Sequence, residues 1–257
     1  MKNLQAKRPS KSVKPGDIFV LGDHILGCGD AADSAFVKKL IGKEKIQLCL
    51  TDPPYGVAYV ESKQNFKQGI KHKVILNDHL QSEKEYSAFT QKWLEAMKPH
   101  LASKNSCYIF NSDRMLFALR DGMQNAGFKF SQLLIWVKTQ AVIGRLDYLP
   151  MHELIAYGWF GRHHFRKSKD KSVLVYPKPS KSEFHATQKP VGLLRRLILN
   201  SSEIGDIVYD PFLGSGSTLL AAEQTKRKCI GIEIDPEYCQ VVISRWESLT
   251  KLKAQKL

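Results

Sequence analysis

Short β-rich runs alternate with helical patterns along this chain, and that alternation restricts its fold more than any other feature. Apolar or β-branched runs at 24–27, 46–51, 106–110, 133–137, 154–157, 207–209 and 229–234 have the length and composition of strands. The helical stretches carry recognisable ends. Ser82 and Glu85 make a capping box ahead of residues 86–97, and Pro99 closes that helix. Ser112 is placed to cap a helix running to Ala126, with Gly127 at its end. Pro190 opens 191–200, and Asp235-Pro236 supplies the N-cap and first position of the last helix. Strands separated by helices pair in parallel, because each crossover covers a face of the sheet. The expected fold is α/β: a doubly wound, mostly parallel sheet with helices on both faces, in a single domain over residues 1–257. One stretch departs from the pattern. At about 140–183 the chain is irregular, aromatic and basic, most plainly from Gly144 to Glu183, and has the character of an insertion.

Charge narrows the partners. The chain carries 39 Lys and Arg against 25 Asp and Glu, a net of +14. Such a surplus favours a polyanion, because a basic surface gains affinity by displacing counterions from phosphates. Residues 2–15 and 251–257 are Lys-rich ends, either solvated or touching a nucleic-acid backbone. The first sixteen residues are too polar for a secretory signal, and no apolar run approaches the roughly 20 residues that span a bilayer. Cys28, Cys49, Cys107, Cys229 and Cys239 form no Cys-x-x-Cys pair and no metal-spaced cluster. Three of them, Cys49, Cys107 and Cys229, lie in strand-like runs where a thiol is usually a small core hydrophobe. The expectation is an intracellular protein without a metal or a membrane segment.

Two loops carry the chemistry. The first follows the strand at 207–209 and reads Asp210-Pro211-Phe212-Leu213-Gly214-Ser215-Gly216-Ser217-Thr218 before a helix. Its glycines permit a tight turn and close backbone approach, and the helix start offers free N–H groups. Roughly twenty residues on, Glu233 ends a second strand, placed to accept hydrogen bonds from ribose hydroxyls. This is the pattern of a nucleoside-cofactor site. No Lys follows the glycines, so it is not a phosphate-binding Walker loop, and the third glycine of the dinucleotide fingerprint is missing.

The second loop, Asp52-Pro53-Pro54-Tyr55-Gly56, follows the apolar strand at 46–51. In an open α/β sheet that end faces the ligand crevice. Consecutive prolines stiffen the backbone, which makes the Asp52 carboxylate and the Pro53 carbonyl rigid acceptors beside the flat ring of Tyr55. Two acceptors and an aromatic plate suit an exocyclic amine on a planar heterocycle. A plain rigid turn with a packed tyrosine is the alternative.

Together the two loops resemble the amino-methyltransferases of DNA. The order, with Asp52-Pro53-Pro54-Tyr55 ahead of the glycine loop, resembles their β class. Further segments match: Leu26-Gly27-Cys28-Gly29-Asp30, and His185-Ala186-Thr187-Gln188-Lys189-Pro190. Ile75-Leu76-Asn77-Asp78 and the stretch from Leu146 to Glu153 are similar to compact, phage-type members, and the likeness covers roughly residues 17–248. The resemblance implies a Rossmann-like methyltransferase fold with permuted motif order, and methyl transfer from S-adenosylmethionine to adenine N6 in double-stranded DNA. It implies catalytic roles for Asp52, Pro53, Pro54 and Tyr55. Cofactor contacts would come from Asp210, Pro211, Phe212, Gly214, Ser215, Gly216, Ser217, Thr218 and Glu233. To these it adds Asp30 against the adenosine, and Thr187 and Lys189 around the methionine part. It also implies restriction–modification or related roles in a bacterial, archaeal or phage setting, a cytoplasmic location, and a homodimer as one option.

On that reading Asp52 and the Pro53 carbonyl orient the amine lone pair, and Tyr55 stacks on a base flipped from the duplex. Contacts to DNA are expected from Lys138, Arg145, Arg162, His163, His164, Arg166, Lys167 and Lys169, in a region small enough to predict a short or relaxed recognition sequence. The polar, Lys-rich segment 57–73 either closes over the extruded base or is a disordered insertion. Carbon methylation of cytosine uses a cysteine that usually follows proline, and none of the eleven prolines here precedes Cys. The rivals that stay open are N4-cytosine methylation, which uses the same geometry but more often with Ser in place of Asp52, an RNA or protein amide substrate, and a silent DNA-binding subunit.

Overall fold

A computed structural model describes residues 12–55, 81–141, 147–166, 169–177 and 188–257. The segment 57–73, Arg145, Lys167 and Thr187 lie outside them, as does the match at 75–78. In chain order the strands are β1 (Ile18–Leu21), β2 (His24–Cys28), β3 (Ile46–Thr51), β4 (Leu101–Asn111), β5 (Lys129–Val137), β6 (His152–Trp159), β7 (Arg162–His163), β8 (Val173–Val175), β9 (Ile207–Asp210), β10 (Lys228–Glu233) and β11 (Gln255–Lys256). The helices described are α1 (Ser34–Ile41), α2 (Glu83–Met97), α3 (Leu116–Asn125), α4 (Val191–Ser201), α5 (Ser217–Gln224) and α6 (Pro236–Thr250).

One sheet runs β11-β1-β2-β10-β9-β3-β4-β6-β5-β8, with β7 beside β4. Its centre, β2-β10-β9-β3-β4, is wholly parallel, and antiparallel pairs flank it at β1–β2 and at β4–β6–β5. The expected α/β architecture is therefore present, as a mixed and mostly parallel sheet.

Strand alternation divides the core into two layers. Leu26, Leu48, Leu50, Tyr108, Phe110 and Val208 face α4, α5 and α6, meeting Leu194, Leu197, Leu219, Val242 and Trp246. Ile46, Cys49, Cys107, Ile109, Tyr209 and Ile232 face α1, α2 and α3, meeting Val37, Leu40, Trp93, Leu94 and Leu119. A register shift between Ile46 and Leu48 explains how those two side chains reach opposite layers. There the Gln47 side chain accepts the Ile207 N–H at 2.8 Å. Each fully buried Leu or Ile contributes about 1.5–3 kcal/mol, so both faces are strongly held. All five cysteines are buried and unpaired, the behaviour of core hydrophobes.

Local signals set several helix ends. Ser82 and Glu85 form the full capping box. Asp235 accepts the Glu237 N–H with Pro236 in the first turn. Four expectations need correction. The Ser112 side chain makes no cap bond; a single 3₁₀ turn, Asp113–Met115, intervenes before α3. Ile234 lies beyond β10, where the chain leaves the sheet to reach Asp235. The insertion at 140–183 is drawn too wide, because it includes sheet strand 152–159, which extends the strand expected at 154–157, and a further strand at 173–175 that was not expected. The C-terminal tail is no frayed end. Val20 pairs with Gln255 and Phe19 with Lys256, whose ammonium lies 2.7 Å from Asp17. The backbone donors and acceptors of edge strand β1 take up that segment. Among the described residues, no helix is long and apolar enough to cross a membrane.

Candidate active site

Parallel pairing brings the chemistry-bearing residues to one edge. Glu233 lies beside Cys28, Gly231 beside Asp210, and Cys49 beside Tyr209. The carboxyl ends of β2, β3, β4, β9 and β10 thus open into one cavity of about 320 Å³. Asp30, Gly214, Ser217 and Glu233 line one part of it, and Asp52, Tyr55, Phe110 and Glu153 line the other. The two loops singled out in the sequence share this space.

At the glycine loop the polar groups are pre-set. Glu233 accepts the Gly214 N–H and the Asp235 N–H, both at 2.8 Å. Burial pushes its carboxyl up to about 7, against the pull of those two N–H groups. Asp210 accepts the Thr51 hydroxyl at 2.7 Å and the Phe212 N–H at 3.1 Å. Burial raises it to about 6, opposed by the Thr218 and Thr51 hydroxyls. Gly216 has φ of +85°, a left-handed turn that starts α5, and a Cβ there would sit 3.1 Å from the Val242 methyls. Gly231 keeps the loop close to the sheet, since a Cβ would meet Leu213 at 2.5 Å. Phe212 fixes the loop from outside, with its ring edge-on to Trp93 at 5.5 Å. Arg245 holds Ser215 through its carbonyl and hydroxyl. The buried Ser217 hydroxyl has no hydrogen-bond partner among the described residues, which leaves a polar group of this wall facing the cavity. Asp30 is exposed at the rim, where it accepts the Ala32 N–H at 2.9 Å.

Asp52 sits in a denser network. One carboxylate oxygen accepts the Tyr55 hydroxyl at 2.6 Å and the other the Lys189 ammonium at 2.5 Å. Lys189 also lies 3.1 Å from Glu153, whose second oxygen pairs with Lys138 at 2.8 Å. The rings of Phe110 and Tyr55 flank the Lys189 ammonium, at 5.2 and 5.8 Å. Burial raises the Asp52 carboxyl above its ordinary value, although Lys189 and Tyr55 oppose this. Desolvation pushes the half-buried Glu153 carboxyl up, yet Lys189 and Lys138 hold it below the usual range. Burial lowers Lys189, but Asp52 and Glu153 more than offset it and the ammonium is stabilised.

Two expected residues stand in the cavity wall. Lys189 lines the cavity and pairs with Asp52. Lys138 lines it too, 5% exposed and paired with Glu153. Arg162 and His163 form β7 beside Lys104 and Asn105, at the amino end of β4. The cavity touches Phe110 and Asn111, about 20 Å further along that strand. The His164 N–H bonds to the Asn105 carbonyl. Arg166 reaches Ser202 and Glu203, past the end of α4. Lys169 adjoins Asp170, which is bound by Arg196 and Asn200 of α4. Arg162, His163, His164, Arg166 and Lys169 thus do not line the crevice. Its rim carries instead Tyr148, 91% exposed, with Leu149 and Met151, next to the lining residues Pro150 and His152. Sequence reasoning missed Glu153 as a functional residue. The available signal was a carboxylate at the head of an otherwise apolar strand.

The fold and this crevice define a class, an open α/β protein in which a glycine turn and an Asp-Pro-Pro-Tyr loop meet in one cavity at the strand ends. Comparison with known proteins gives the particular family. A family model described as DNA methylase matches residues 46–244, and the chain belongs to that family. Among its relatives is the Type II methyltransferase M.HinfI of Haemophilus influenzae, 29% identical over 232 residues, which are 80% of this chain and 64% of that protein. The Type II methyltransferase M2.DpnII of Streptococcus pneumoniae is 27% identical over 224 residues, with 80% of this chain and 84% of the relative covered. The chain therefore spans somewhat less than two thirds of M.HinfI. The crystal structure of an M1.HpyAVI–SAM complex superposes with a TM-score of 0.63 at 25% identity, covering 86% of this chain and 98% of that one. The cytosine-N4-specific PvuII DNA methyltransferase gives 0.68 at 17% identity, covering 88% and 89%, a likeness of fold.

Proposed function

We propose that the protein transfers a methyl group from S-adenosylmethionine to the N6 amine of adenine in DNA. The observation that carries this reading is the single cavity in which Asp52 and Tyr55 face the Asp210–Glu233 wall. The unpartnered Ser217 hydroxyl, the Glu233 carboxylate and the close approach at Gly231 suit a nucleoside, so the chain fits the cofactor. Glu233 would accept from the ribose hydroxyls, Asp30 would approach the adenosine from the rim, and the first turn of α5 would face the polar end. When bound, the cofactor supplies an electrophilic methyl on a sulfonium whose leaving group is already neutral.

The remaining work falls to the Asp52 loop. Asp52 and the Pro53 carbonyl take the two amine N–H bonds and so aim the nitrogen lone pair away from the ring plane. Asp52 Oδ2 is then placed to receive the proton that the methylated nitrogen releases. Tyr55 stacks on the base, worth about 1–3 kcal/mol. The amine lies at the pairing edge, and a cavity behind the strand ends is reached only by a base turned out of the duplex. The exposed Tyr148, Leu149 and Met151 beside the cavity mouth are the described residues best placed to meet that duplex.

Tritiated cofactor and unmodified plasmid DNA test the reading, followed by digestion to nucleosides. Label in N6-methyl-2′-deoxyadenosine supports it. Label in N4-methyl-2′-deoxycytidine would move the assignment to the cytosine reaction, and no label in either nucleoside would overturn it.

A further inference from the structure

We propose that Glu153 is a positioning residue for methyl transfer: it offers Lys189 a second carboxylate, so that Lys189 can release one oxygen of Asp52 to the target amine. The inference rests on Asp52 being the amine-holding group.

Both Asp52 oxygens accept a hydrogen bond, one from Tyr55 and the other from Lys189. Each oxygen has a second lone pair, so an entering amine can share it, but it competes with the donor already there and binds better once that donor moves away. The Lys189 ammonium is the one with another carboxylate within reach, at 3.1 Å. Leaving a buried charge without a partner costs several kcal/mol, so a lysine without that alternative would stay on Asp52.

Glu153 is held for this role by the sheet. It pairs across β5–β6 with Trp136, and the Lys138 N–H extends the ladder to the Met151 carbonyl at 2.7 Å. Lys138 then fixes the far oxygen of Glu153, leaving the near one towards Lys189. Two ammonium groups and two carboxylates balance, so Lys189 can shift between carboxylates with no change in net charge. Among the described residues, the groups facing this set include the Phe110 ring from β4, the Trp136 ring from β5, the hydroxyls of Tyr55 and of Tyr86 from α2, and Asp210 from β9.

The test is a pH profile of single-turnover methylation by the full chain, with labelled cofactor and plasmid DNA. Glu153→Gln should lower the plateau rate about 100-fold, a loss of the size expected when a reacting group is held slightly out of place. It should also move the acid limb down by about one pH unit, because Lys189 then acts on Asp52 alone. Lys189→Met should move that limb up by about one unit, as Asp52 loses its cation. Because Glu153 acts through Lys189, adding Glu153→Gln to Lys189→Met should cost less than about threefold more. Glu153→Asp, which keeps the charge, should recover most of the rate, and Lys138→Met is the substitute if Glu153→Gln does not fold. Removing Lys138 leaves Glu153 drawing harder on Lys189, so the limb should move up. Shifts in the same direction for Glu153→Gln and Lys189→Met, or losses that multiply, overturn the proposal. Turnover by Asp52→Ala would instead sink the underlying site reading.

Discussion

Glu233 and Asp210 are buried carboxyls whose ionisation links cofactor binding to stability. Folded Glu233 titrates at about 7 and Asp210 at about 6, both above their ordinary values of 4.5 and 3.8. A carboxyl raised on folding stabilises the native state below its unfolded value, and that contribution is lost as pH rises through the folded value. These two carboxyls therefore favour the folded cofactor-free protein at pH 6 over pH 8, while His24 and His100, whose imidazoles burial lowers, act in the opposite sense across the same window; Glu233→Gln should shrink any advantage in urea resistance that pH 6 holds over pH 8. Asp170 is depressed by Arg196 and titrates in the opposite sense only at lower pH, outside this window. Cofactor affinity should run the other way, weakening as pH falls through about 7, because ribose hydroxyls need the Glu233 carboxylate as acceptor. Calorimetry at pH 6 and 8 measures this, and equal affinities would contradict it. At this scale much of the site was legible. Asp52, Tyr55, Asp210 and Glu233 stand at strand ends within tight local motifs. Glu153 was not, because its meaning depends on Lys189, 36 residues away, and on Lys138 across a strand pair.

Turns and caps divide into those that shape the site and those that merely hold a helix. Gly216→Ala would force a side chain into φ of +85° and press on Val242. It should cost about 1–2 kcal/mol in chemical denaturation and weaken cofactor binding as well. Ser82→Ala removes the α2 capping box, at about 1 kcal/mol, and should leave cofactor affinity unchanged. An equal loss of affinity in both variants would show that the glycine acts only through stability. The parallel centre was readable because its strands are apolar runs bounded by glycine, proline or acidic residues. The margins were read less well. β1 and β11 are recognisable only once they pair, and the short β7 and β8 carry too few residues to show a period, whereas the apolar centre of β6 was legible at 154–157 and only its ends were not. Ser112 shows the limit of cap rules, because its capping geometry was replaced by the 3₁₀ turn that precedes α3.

Over the whole molecule, charge and chemistry separate. The net of +14 made every basic cluster a candidate for DNA, but Arg162 and Arg166 lie at the amino edge of the sheet, away from the crevice. Arg162→Ala with Arg166→Ala should leave the salt dependence of DNA binding almost unchanged. A slope reduced by about 2 would mean that these arginines do neutralise phosphates. Composition reports how much positive charge a chain carries, whereas sheet topology decides which of it faces the substrate. The central claim concerns one place, the cavity where Asp52 meets the nucleoside loop. It is tested most directly by Asp52→Ala, assayed together for S-adenosylmethionine binding and for methyl transfer to DNA. The account expects binding close to that of the unaltered protein and transfer reduced by at least about 100-fold; an Asp52→Ala protein that methylates DNA at the full rate would contradict it.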